Sequence, residues 1–314
     1  MGIHVLGTGS YTPQFQVTNE DMARIVETND EWIRTRTGIG TRHISDGEPT
    51  WYMGAEAAKR AVEAAGIDPA EIGLLIDTTI TPEYCTPSMS CIIQGKIGAV
   101  NAACFDLNAA CSGFVYAMDT AHRFLKTDPS MRYALVIANE SLSKITNYSD
   151  RSSCILFGDG AAGVVVECRE DWPSIGAVLG SHGTDQMLRV PGVETDAPSL
   201  IYMEGTKVFK FAIEAVPWCI DQVLQRHGKT IEDVDFFVFH QANARIIDLV
   251  VRKYQIPLEK YYKNIQEYGN TSAASIPLVL SDLWDQGKIG AGSRLLIVGF
   301  GGGLTWGGAY VEFE

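Results

Sequence analysis

The sequence contains no apolar run long enough to cross a membrane. A membrane-spanning helix needs about 20 consecutive, mainly apolar residues, and no hydrophobic segment of this chain approaches that length. Residues 1–7 also lack the basic stretch followed by an apolar stretch that marks a secretory signal. These absences predict a cytoplasmic protein that does not associate with membranes.

Closely paired cysteines are absent as well. The seven cysteines are scattered along the chain, their number is odd, and none forms a C-x-x-C pair. Structural zinc sites and disulfide frameworks both require clustered or regularly paired cysteines. We therefore expect no metal site and no disulfides, and a reducing cytoplasm fits this cysteine usage.

Positive charge is scarce. The chain has 25 Lys and Arg residues against 38 Asp and Glu residues, which gives a formal net charge of −13. This balance argues against nucleic acid and anionic membranes as general partners. An acidic protein partner would need a local basic patch, and the candidate residues are Lys207, Lys210, Arg245, Arg252 and Lys253. The same residues are equally compatible with solvated helix faces, so the residues alone leave both interpretations open.

A dinucleotide-binding fingerprint is also missing. The pattern G-x-G-x-x-G must follow a strand and open a helix. After Gly7 and Gly9 the third glycine position is occupied by Thr12, and after the run 299–303 it is occupied by Leu304. The run 299–303 has two other interpretations: a loop that needs positive φ angles, or a place where a backbone N–H group faces an oxyanion.

What the sequence does contain is a regular alternation of strands and helices. At 314 residues, with 46% hydrophobic and 20% charged residues, the chain is long enough for a large α/β core. The predicted strands are residues 3–9, 74–79, 104–107, 133–139, 164–167, 236–239 and 295–298, and the predicted helices are residues 18–36, 54–65, 87–97 and 111–125. Continuous apolar strands between helices predict a parallel or mixed sheet that is covered on both faces.

Cys111 lies at a predicted corner between a strand and a core helix. The strand signal at residues 104–107 is followed by very small residues, and Cys111, Phe114 and Met118 then recur on one helix face. A helix start favours a thiolate over a thiol, and with a cationic neighbour it can bring a thiol pKa from about 8.5 to below neutrality. We therefore interpret Cys111 as a covalent nucleophile, although a cysteine without such a position more often only fills space.

The second part of the chain repeats the pattern of the first. Three pairs of segments match at nearly the same displacement and in the same order: residues 66–76 with 228–238, residues 133–138 with 294–299, and the corner at Cys111 with the corner at Asn270. We therefore expect two similar α/β halves, residues 1–170 and residues 171–314, with equivalent strand ends meeting near a shared centre.

This duplication predicts a cluster of three chemically active side chains. It brings Cys111 beside Asn270, and the strand at residues 236–239 ends at His240 in the same region. In a cysteine hydrolase, the histidine would be the base and the asparagine would orient it. In an acyltransferase that forms carbon–carbon bonds, the cysteine carries an acyl group, and the other two donate hydrogen bonds to a thioester oxygen. A scaffold without catalysis is the third alternative.

Seven stretches of the sequence resemble one known family. They are residues 31–39, 106–114, 157–162, 208–210, 240–243, 268–272 and 301–307. Together they span the chain in order and resemble the β-ketoacyl-[acyl-carrier-protein] synthase III enzymes of the thiolase superfamily. The resemblance implies a five-layered αβαβα fold made of two duplicated halves, usually as a homodimer. It also implies a Claisen condensation that starts fatty-acid synthesis, with a CoA thioester as substrate and no cofactor.

The resemblance implies a role for each residue of the predicted cluster. An acyl-CoA primer would acylate Cys111, malonyl-[acyl-carrier-protein] would then bind, and His240 and Asn270 would assist its decarboxylation. The carbanion would attack the acyl-enzyme and give a 3-oxoacyl carrier, CO2 and free CoA. The backbone N–H groups of Cys111 and Gly302 would form the oxyanion hole.

The resemblance also implies binding residues for each part of the substrates. Those for CoA are Trp32, Arg36, Arg151 and Asn243, with Trp32 and Arg151 on the two faces of the adenine. Those for the acyl chain are Thr86, Phe157, Leu188 and Phe209, and those for the acidic carrier are Lys210 and Arg245.

Three positions depart from the common pattern of the family. Thr86 stands where Phe is frequent, Ser152 where Gly is frequent, and Thr206 where Asn is frequent. A smaller residue at position 86 would admit a longer or branched primer, so the primer stays open. The alternative function is a relative of specialised metabolism that uses the same three residues with another acyl acceptor.

Overall fold

The computed structural model describes residues 2–172, 175–192 and 198–313. The strands are β1 (Gly2–Tyr11), β2 (Gln16–Thr18), β3 (Thr41–His43), β4 (Ile72–Thr78), β5 (Ala103–Leu107), β6 (Tyr133–Ser141), β7 (Asp159–Arg169), β8 (Val178–Thr184), β9 (Leu188–Arg189), β10 (Tyr202–Met203), β11 (Phe236–Phe239), β12 (Arg294–Gly301) and β13 (Gly303–Phe313). The helices are α1 (Asn19–Met22), α2 (Asp30–Thr37), α3 (Thr50–Ala65), α4 (Met89–Ile97), α5 (Gly113–Thr127), α6 (Arg151–Cys154), α7 (Gly205–His227), α8 (Ala244–Tyr254), α9 (Ile265–Tyr268) and α10 (Ser275–Asp285).

The described residues form a mixed sheet in which one strand order occurs twice. The order in the first half is β5-β4-β6-β7-β1, and the corresponding order in the second half is β11-β12-β13-β8. The two halves join where β1 pairs with β13. β4 is parallel to β6 and β6 is antiparallel to β7, just as β11 is parallel to β12 and β12 is antiparallel to β13. The counterpart of β5 is a single parallel bridge between Phe237 and Tyr261. The predicted duplication is therefore confirmed.

Helices cover both faces of each half of the sheet, which gives five layers, because alternate strand residues face opposite sides. Leu75 packs with α3 and α4 on the outer face of the first half, whereas Ile76 points to the opposite side. There α5 and α10 fill the space between the two halves, where Ile76 and Ile297 belong to one shared cluster. On the outer face of the second half, Leu296 packs with α7 and α8.

The prediction of one continuous helix over residues 18–36 is wrong. The structure has two helices there, α1 and α2, separated by residues 23–29. The side chain of Asn29 accepts a hydrogen bond from the Trp32 N–H and so begins a new helix. α2 then ends at Thr37, and Gly38 caps it with a left-handed φ of 84°.

The other predicted elements near the site exist with shifted ends. β7 begins at Asp159, before the predicted start at residue 164, because residues 159–163 also pair with β6. The predicted division between residues 170 and 171 falls between β7 and β8. A division into two domains there stays a prediction, since one sheet runs through both halves. None of the helices described in this structure is both long enough and apolar enough to cross a bilayer.

Candidate active site

Cys111 lies in a tight turn between β5 and α5. The 3-10 turn Ala110–Ser112 begins with a left-handed residue, Ala110, at φ 46°. A Cβ atom at Gly113 would collide with Thr78, so a glycine is needed for the turn to pack against β4. A Cβ atom at Gly301 would lie 3.1 Å from the sulfur of Cys111, so β12 passes directly beside the sulfur. The predicted corner is confirmed.

The same turn occurs a second time before α10. There the 3-10 turn Ser272–Ala274 begins with Ser272 at φ 51°, matching Ala110. A non-glycine residue in this conformation costs about 1–3 kcal/mol and persists only where surrounding contacts impose it. Both halves therefore place one strained turn at the centre of the molecule.

His240 follows β11 directly and is held on two sides. Its backbone N–H donates to the carbonyl of Val298, which continues the pairing with β12. Its Nδ1 lies 2.7 Å from the hydroxyl oxygen of Ser275, and its ring meets the ring of Phe300 edge to face at 5.1 Å. With Nδ1 engaged, Nε2 is the ring nitrogen left for a ligand.

Asn270 is fixed by its neighbours so that one end of its amide is occupied. Its backbone pairs with the segment at Leu156–Gly158, and its Oδ1 accepts a hydrogen bond from the N–H of Ser272 at 2.9 Å. Because Oδ1 is engaged, the Nδ2 group is the end that is left to donate.

Two cavities meet at Cys111. The entry cavity has a volume of about 650 Å³ and is lined by Trp32, Cys111, His240 and Asn270, among others. The inner cavity has a volume of about 670 Å³ and is lined on the other side of Cys111 by residues such as Thr79, Ile80, Leu142, Ile201, Ser272 and Gly302. Of the residues that the structure describes, only Cys111, Phe157 and Leu188 line both cavities. The predicted cluster of Cys111, His240 and Asn270 therefore shares one cavity.

The residues predicted to bind CoA lie at the entry cavity or beside it. Trp32, Arg36 and Asn243 line it, and the Nδ2 of Asn243 donates to the carbonyl of Arg36 at 3.0 Å. Arg151 does not line the cavity, but its guanidinium lies over the ring of Trp32 at 5.1 Å. Trp32 and Arg151 thus contact each other directly, and a flat ring would have to enter between them.

The residues predicted for the acyl chain separate into three groups. Phe157 and Leu188 line both cavities, whereas Phe209 lines only the entry cavity. Thr86 lines neither cavity and is exposed. Residues 84–87 run over the surface between β4 and α4, so the role of Thr86 at the acyl chain stays a prediction.

The residues predicted for the carrier lie at the mouth of the entry cavity. Lys210 on α7 and Arg245 at the start of α8 both line the cavity and are both exposed. The guanidinium of Arg245 lies 5.5 Å from the centre of the Phe209 ring. Gly302, predicted for the oxyanion hole, lines the inner cavity close to Leu188 and Ala110.

Burial suppresses charge at both Cys111 and His240. Burial raises the pKa of the Cys111 thiol to about 12, and the hydroxyl of Ser272 offsets this only in part. Burial also lowers the pKa of His240 to about 3. The expectation that the helix start lowers the pKa of Cys111 is therefore wrong, because the loss of hydration outweighs it. At neutral pH the pair is a thiol and an uncharged imidazole.

Sequence reasoning missed the residues that support this cluster. Ser275 holds the ring of His240, and Ser272 lies beside Cys111. Their only signal in the sequence is that they follow Asn270 in the duplicated corner. Glu140, a buried acid on β6, had no signal at all. In the ranges that the structure covers, no group of His, Cys, Asp and Glu side chains is arranged to hold a metal ion.

Comparison with known proteins shows the family of this chain. Residues 105–183 match the family described as 3-oxoacyl-[acyl-carrier-protein (ACP)] synthase III, and residues 224–313 match its C-terminal part. A beta-ketoacyl-[acyl-carrier-protein] synthase III of Clostridium acetobutylicum is 46% identical, with 99% of this chain and 98% of the relative covered. A protein of the same name from Caldanaerobacter subterraneus is 42% identical, with 99% and 97% covered.

Two solved structures are also similar over nearly their whole length. The 3-oxoacyl-[acyl-carrier-protein] synthase III of Aquifex aeolicus has a TM-score of 0.94 at 41% identity, covering 99% of this chain and 100% of that one. The priming beta-ketosynthase of the R1128 polyketide pathway has a TM-score of 0.94 at 37% identity, covering 99% and 96%. With these matches and its αβαβα layers, the chain belongs to the β-ketoacyl-[acyl-carrier-protein] synthase III family and has its thiolase-like fold.

Proposed function

We propose that the protein catalyses the decarboxylating Claisen condensation of an acyl-CoA primer with malonyl-[acyl-carrier-protein], which starts fatty-acid synthesis. The observation that carries this proposal is that Cys111 lies where two cavities meet, while His240 and Asn270 line only the entry cavity. Covalent catalysis with two successive substrates needs this layout. The acyl group can stay in the inner cavity while CoA leaves and the second substrate enters.

In the first half-reaction the sulfur of Cys111 attacks the thioester of an acyl-CoA. The CoA portion occupies the entry cavity along Trp32, Arg36 and Asn243, with Arg151 at its rim. The acyl chain extends past Phe157 and Leu188 into the inner cavity, which is mainly apolar. The N–H groups of Cys111 and Gly302 stabilise the oxyanion of the tetrahedral intermediate.

In the second half-reaction His240 and Asn270 stabilise an enolate. The hydroxyl oxygen of Ser275 accepts a hydrogen bond from the N–H of Gln241 at 3.2 Å, so its own hydrogen can be donated to Nδ1 of His240. The uncharged ring then carries its hydrogen on Nε2. Nε2 of His240 and Nδ2 of Asn270 each donate a hydrogen bond to the thioester oxygen of the malonyl group. CO2 leaves, and the carbanion attacks the acyl group on Cys111.

The acidic carrier docks on the basic residues at the mouth of the entry cavity. Lys210 and Arg245 are exposed there in a chain whose net charge is −13. A local positive site on a negative protein directs an acidic partner to that site and repels it elsewhere.

We further propose that the protein acts as a cytoplasmic homodimer without a resident cofactor. β5 is an edge strand in the described sheet, since it pairs only with β4. A free strand edge is a common site of association. A second copy at this edge would cover residues 84–87, including Thr86.

The experiment that tests the proposed function follows the acyl group by intact-protein mass spectrometry. The protein is incubated with several acyl-CoAs, and we expect an acyl adduct that is absent in Cys111→Ala with an intact fold. Addition of malonyl-[acyl-carrier-protein] should release CO2 and a 3-oxoacyl product. Steady hydrolysis of acyl-CoA without a second substrate would instead identify a hydrolase.

A second candidate function is acyl transfer to another acceptor in specialised metabolism. It is favoured by the 37% identity to a priming ketosynthase and by an inner cavity of about 670 Å³, which an acetyl group would leave mostly empty. The same adduct would form in this case. Malonyl-[acyl-carrier-protein] would then fail to discharge it, whereas another acceptor would succeed.

A further inference from the structure

Glu140, near the end of β6, is a fully buried acid that the mechanism above does not use. Its exposed fraction is 0%. The carboxylate accepts hydrogen bonds from the hydroxyl of Thr81 at 2.7 Å, the hydroxyl of Thr79 at 3.3 Å and the N–H of Ile80 at 3.2 Å. Among the described residues, no salt bridge joins it to a cation. A buried carboxylate with only neutral donors is costly, so its presence calls for a reason.

The duplication places Glu140 at the centre of the molecule. The end of β12 packs against the turn Ala110–Ser112, where Gly301 lies beside Cys111. In the same way, the end of β6 packs against the turn Ser272–Ala274. Glu140 therefore occupies, relative to the turn Ser272–Ala274, the place that Gly301 occupies relative to the turn Ala110–Ser112.

Ser272 lies near both Glu140 and Cys111, because the turn Ser272–Ala274 packs against β6 and against the turn Ala110–Ser112, and Ser272 lines the inner cavity together with Cys111. It lowers the pKa of both groups from the values that burial alone would produce, so it interacts with both. The Ser272 oxygen is itself buried, and no partner in the described part of the chain meets full hydrogen-bond geometry with it. The hydroxyl is thus free to turn between the sulfur and the carboxylate.

Two groups compete for the proton that Cys111 must lose before it attacks a thioester. Burial lowers the pKa of His240 to about 3, so the protonated imidazole is strongly disfavoured. Burial raises the pKa of the Glu140 carboxyl to about 7, which makes it the stronger base of the two. A base whose pKa lies near the working pH is also the more effective one.

We propose that Glu140 is a positioning residue that takes the thiol proton of Cys111 through the hydroxyl of Ser272. This inference deepens the proposed function and rests on it. The S–H bond breaks, Ser272 receives that proton, and Ser272 gives its own proton to Glu140. The thiolate then attacks the thioester, and CoA leaves with the electron pair and takes a proton from solvent.

The condensation step returns the proton. When the carbanion attacks the acyl group, the carbon–sulfur bond to Cys111 breaks and the thiolate leaves. Glu140 gives its proton back through Ser272 and restores the thiol. Over the full cycle the net proton consumed is the one that CoA takes from solvent, so Glu140 starts the next cycle as a carboxylate.

Among the described residues, few other groups that titrate face Glu140. They are Cys111 on its turn and Asp77 on β4, and each is influenced by the charge of Glu140. Burial, with Asp106 and Glu140 nearby, holds the pKa of Asp77 well above its usual range. The remaining contacts are neutral hydroxyl and N–H donors. We therefore expect the reactivity of Cys111 near neutrality to follow the titration of Glu140.

The test measures the rate at which iodoacetamide alkylates Cys111 from about pH 5 to about pH 10, read by peptide mass analysis at that residue. In the unchanged protein we expect an inflection near the pKa of about 7 of Glu140. In Glu140→Gln and in Ser272→Ala the inflection should move to higher pH. The rate near neutrality should fall about 100-fold, the lower end of the range for loss of a general base.

Three further variants make the result specific. Glu140→Asp keeps a carboxyl group and should keep an inflection near neutrality. Glu83→Gln is the matched control, since Glu83 is a partly buried acid that accepts from the Trp51 N–H and pairs with Lys144, away from Ser272. It should leave the profile unchanged. His240→Asn should also keep the inflection, and if it removes the inflection instead, histidine is the acceptor and the proposal is wrong.

Two outcomes separate this inference from the proposed function. An unchanged profile in Glu140→Gln, in a protein that acyl-CoA still acylates, overturns only the role of Glu140. A shifted profile in a protein that no acyl-CoA acylates overturns only the proposed function. If Glu140→Gln does not fold, as judged by thermal unfolding, Ser272→Ala carries the test, because it removes one oxygen and leaves the carboxylate in place.

Discussion

The hydroxyl of Ser275 holds the imidazole of His240, with 2.7 Å between its oxygen and Nδ1. Ser275 is the first residue of α10 in the second half, and His240 follows β11. The contact sets which ring nitrogen carries the hydrogen, and so decides whether His240 can donate into the entry cavity.

Ser275→Ala should therefore slow decarboxylation more than acylation. Without the hydroxyl, Nδ1 can keep the hydrogen and Nε2 loses its donor role. We expect malonyl decarboxylation to fall about 10- to 100-fold, somewhat less than the loss of a donor itself. The experiment measures the rate of CO2 release from malonyl-[acyl-carrier-protein] and, separately, the rate of acyl-adduct formation at Cys111. Ser281 lies on the same helix and its hydroxyl donates a hydrogen bond to the hydroxyl of Ser10. Ser281→Ala is therefore the control that should change neither rate.

Trp32→Ala should weaken acyl-CoA binding without affecting the carrier substrate. In the proposed binding of CoA, the Trp32 ring supports one face of the adenine, and stacking of a base on an aromatic ring is worth about 1–3 kcal/mol. The KM for acyl-CoA should rise about tenfold to a hundredfold. Trp218→Ala is a matched control, because Trp218 is partly exposed and lines neither cavity at Cys111. Equal effects of both variants would contradict the assignment of Trp32.

Lys210→Glu should act on the carrier substrate alone. Reversal of one charge at the mouth of the entry cavity should raise the KM for malonyl-[acyl-carrier-protein] about tenfold, equal to about 1.4 kcal/mol. The effect should shrink at high salt, because exposed charges are screened. Steady-state kinetics at two salt concentrations measure both. Lys288 is an exposed lysine after α10, and Lys288→Glu should leave this KM unchanged. A similar rise of the KM in Lys288→Glu would show that the net charge of the protein, and not the site at Lys210, controls binding of the carrier.

Asp77→Val should stabilise the protein at neutral pH. Asp77 is fully buried, and neither carboxyl oxygen has a hydrogen-bond partner in the described part of the chain. Burial, with Asp106 and Glu140 nearby, raises its pKa well above the usual value. The folded state therefore binds this proton more tightly than the unfolded state, and the free energy of unfolding falls as pH rises past the usual Asp pKa of about 3.9.

The gain from Asp77→Val should be about 1–3 kcal/mol at neutral pH, the cost of an unsatisfied buried polar group. It should shrink at acidic pH, where the unfolded state also holds the proton. Urea unfolding at both pH values measures this difference. A gain of the same size at both pH values would show that packing, rather than ionisation, accounts for the change.

The sequence alone predicted much of the fold near the site. The corner at Cys111, the repeat of residues 66–76 at 228–238 and the strand before His240 all lie where they were expected. These features are local, or they recur with one displacement, so a pattern of apolar and small residues is enough to predict them. The break between α1 and α2 was missed because one side-chain contact of Asn29 outweighs a helical pattern.

What the amino-acid sequence determined by itself was the alternation of strands and helices, its duplication, and the residue types gathered at the shared centre. Only the tertiary structure decided the charge on Cys111 and His240, the partner of each ring nitrogen, and the cavity that each residue faces. It also placed Thr86 outside both cavities. The physical reason is that hydration and hydrogen bonding depend on neighbours brought from distant parts of the chain, such as Ser272 beside Cys111.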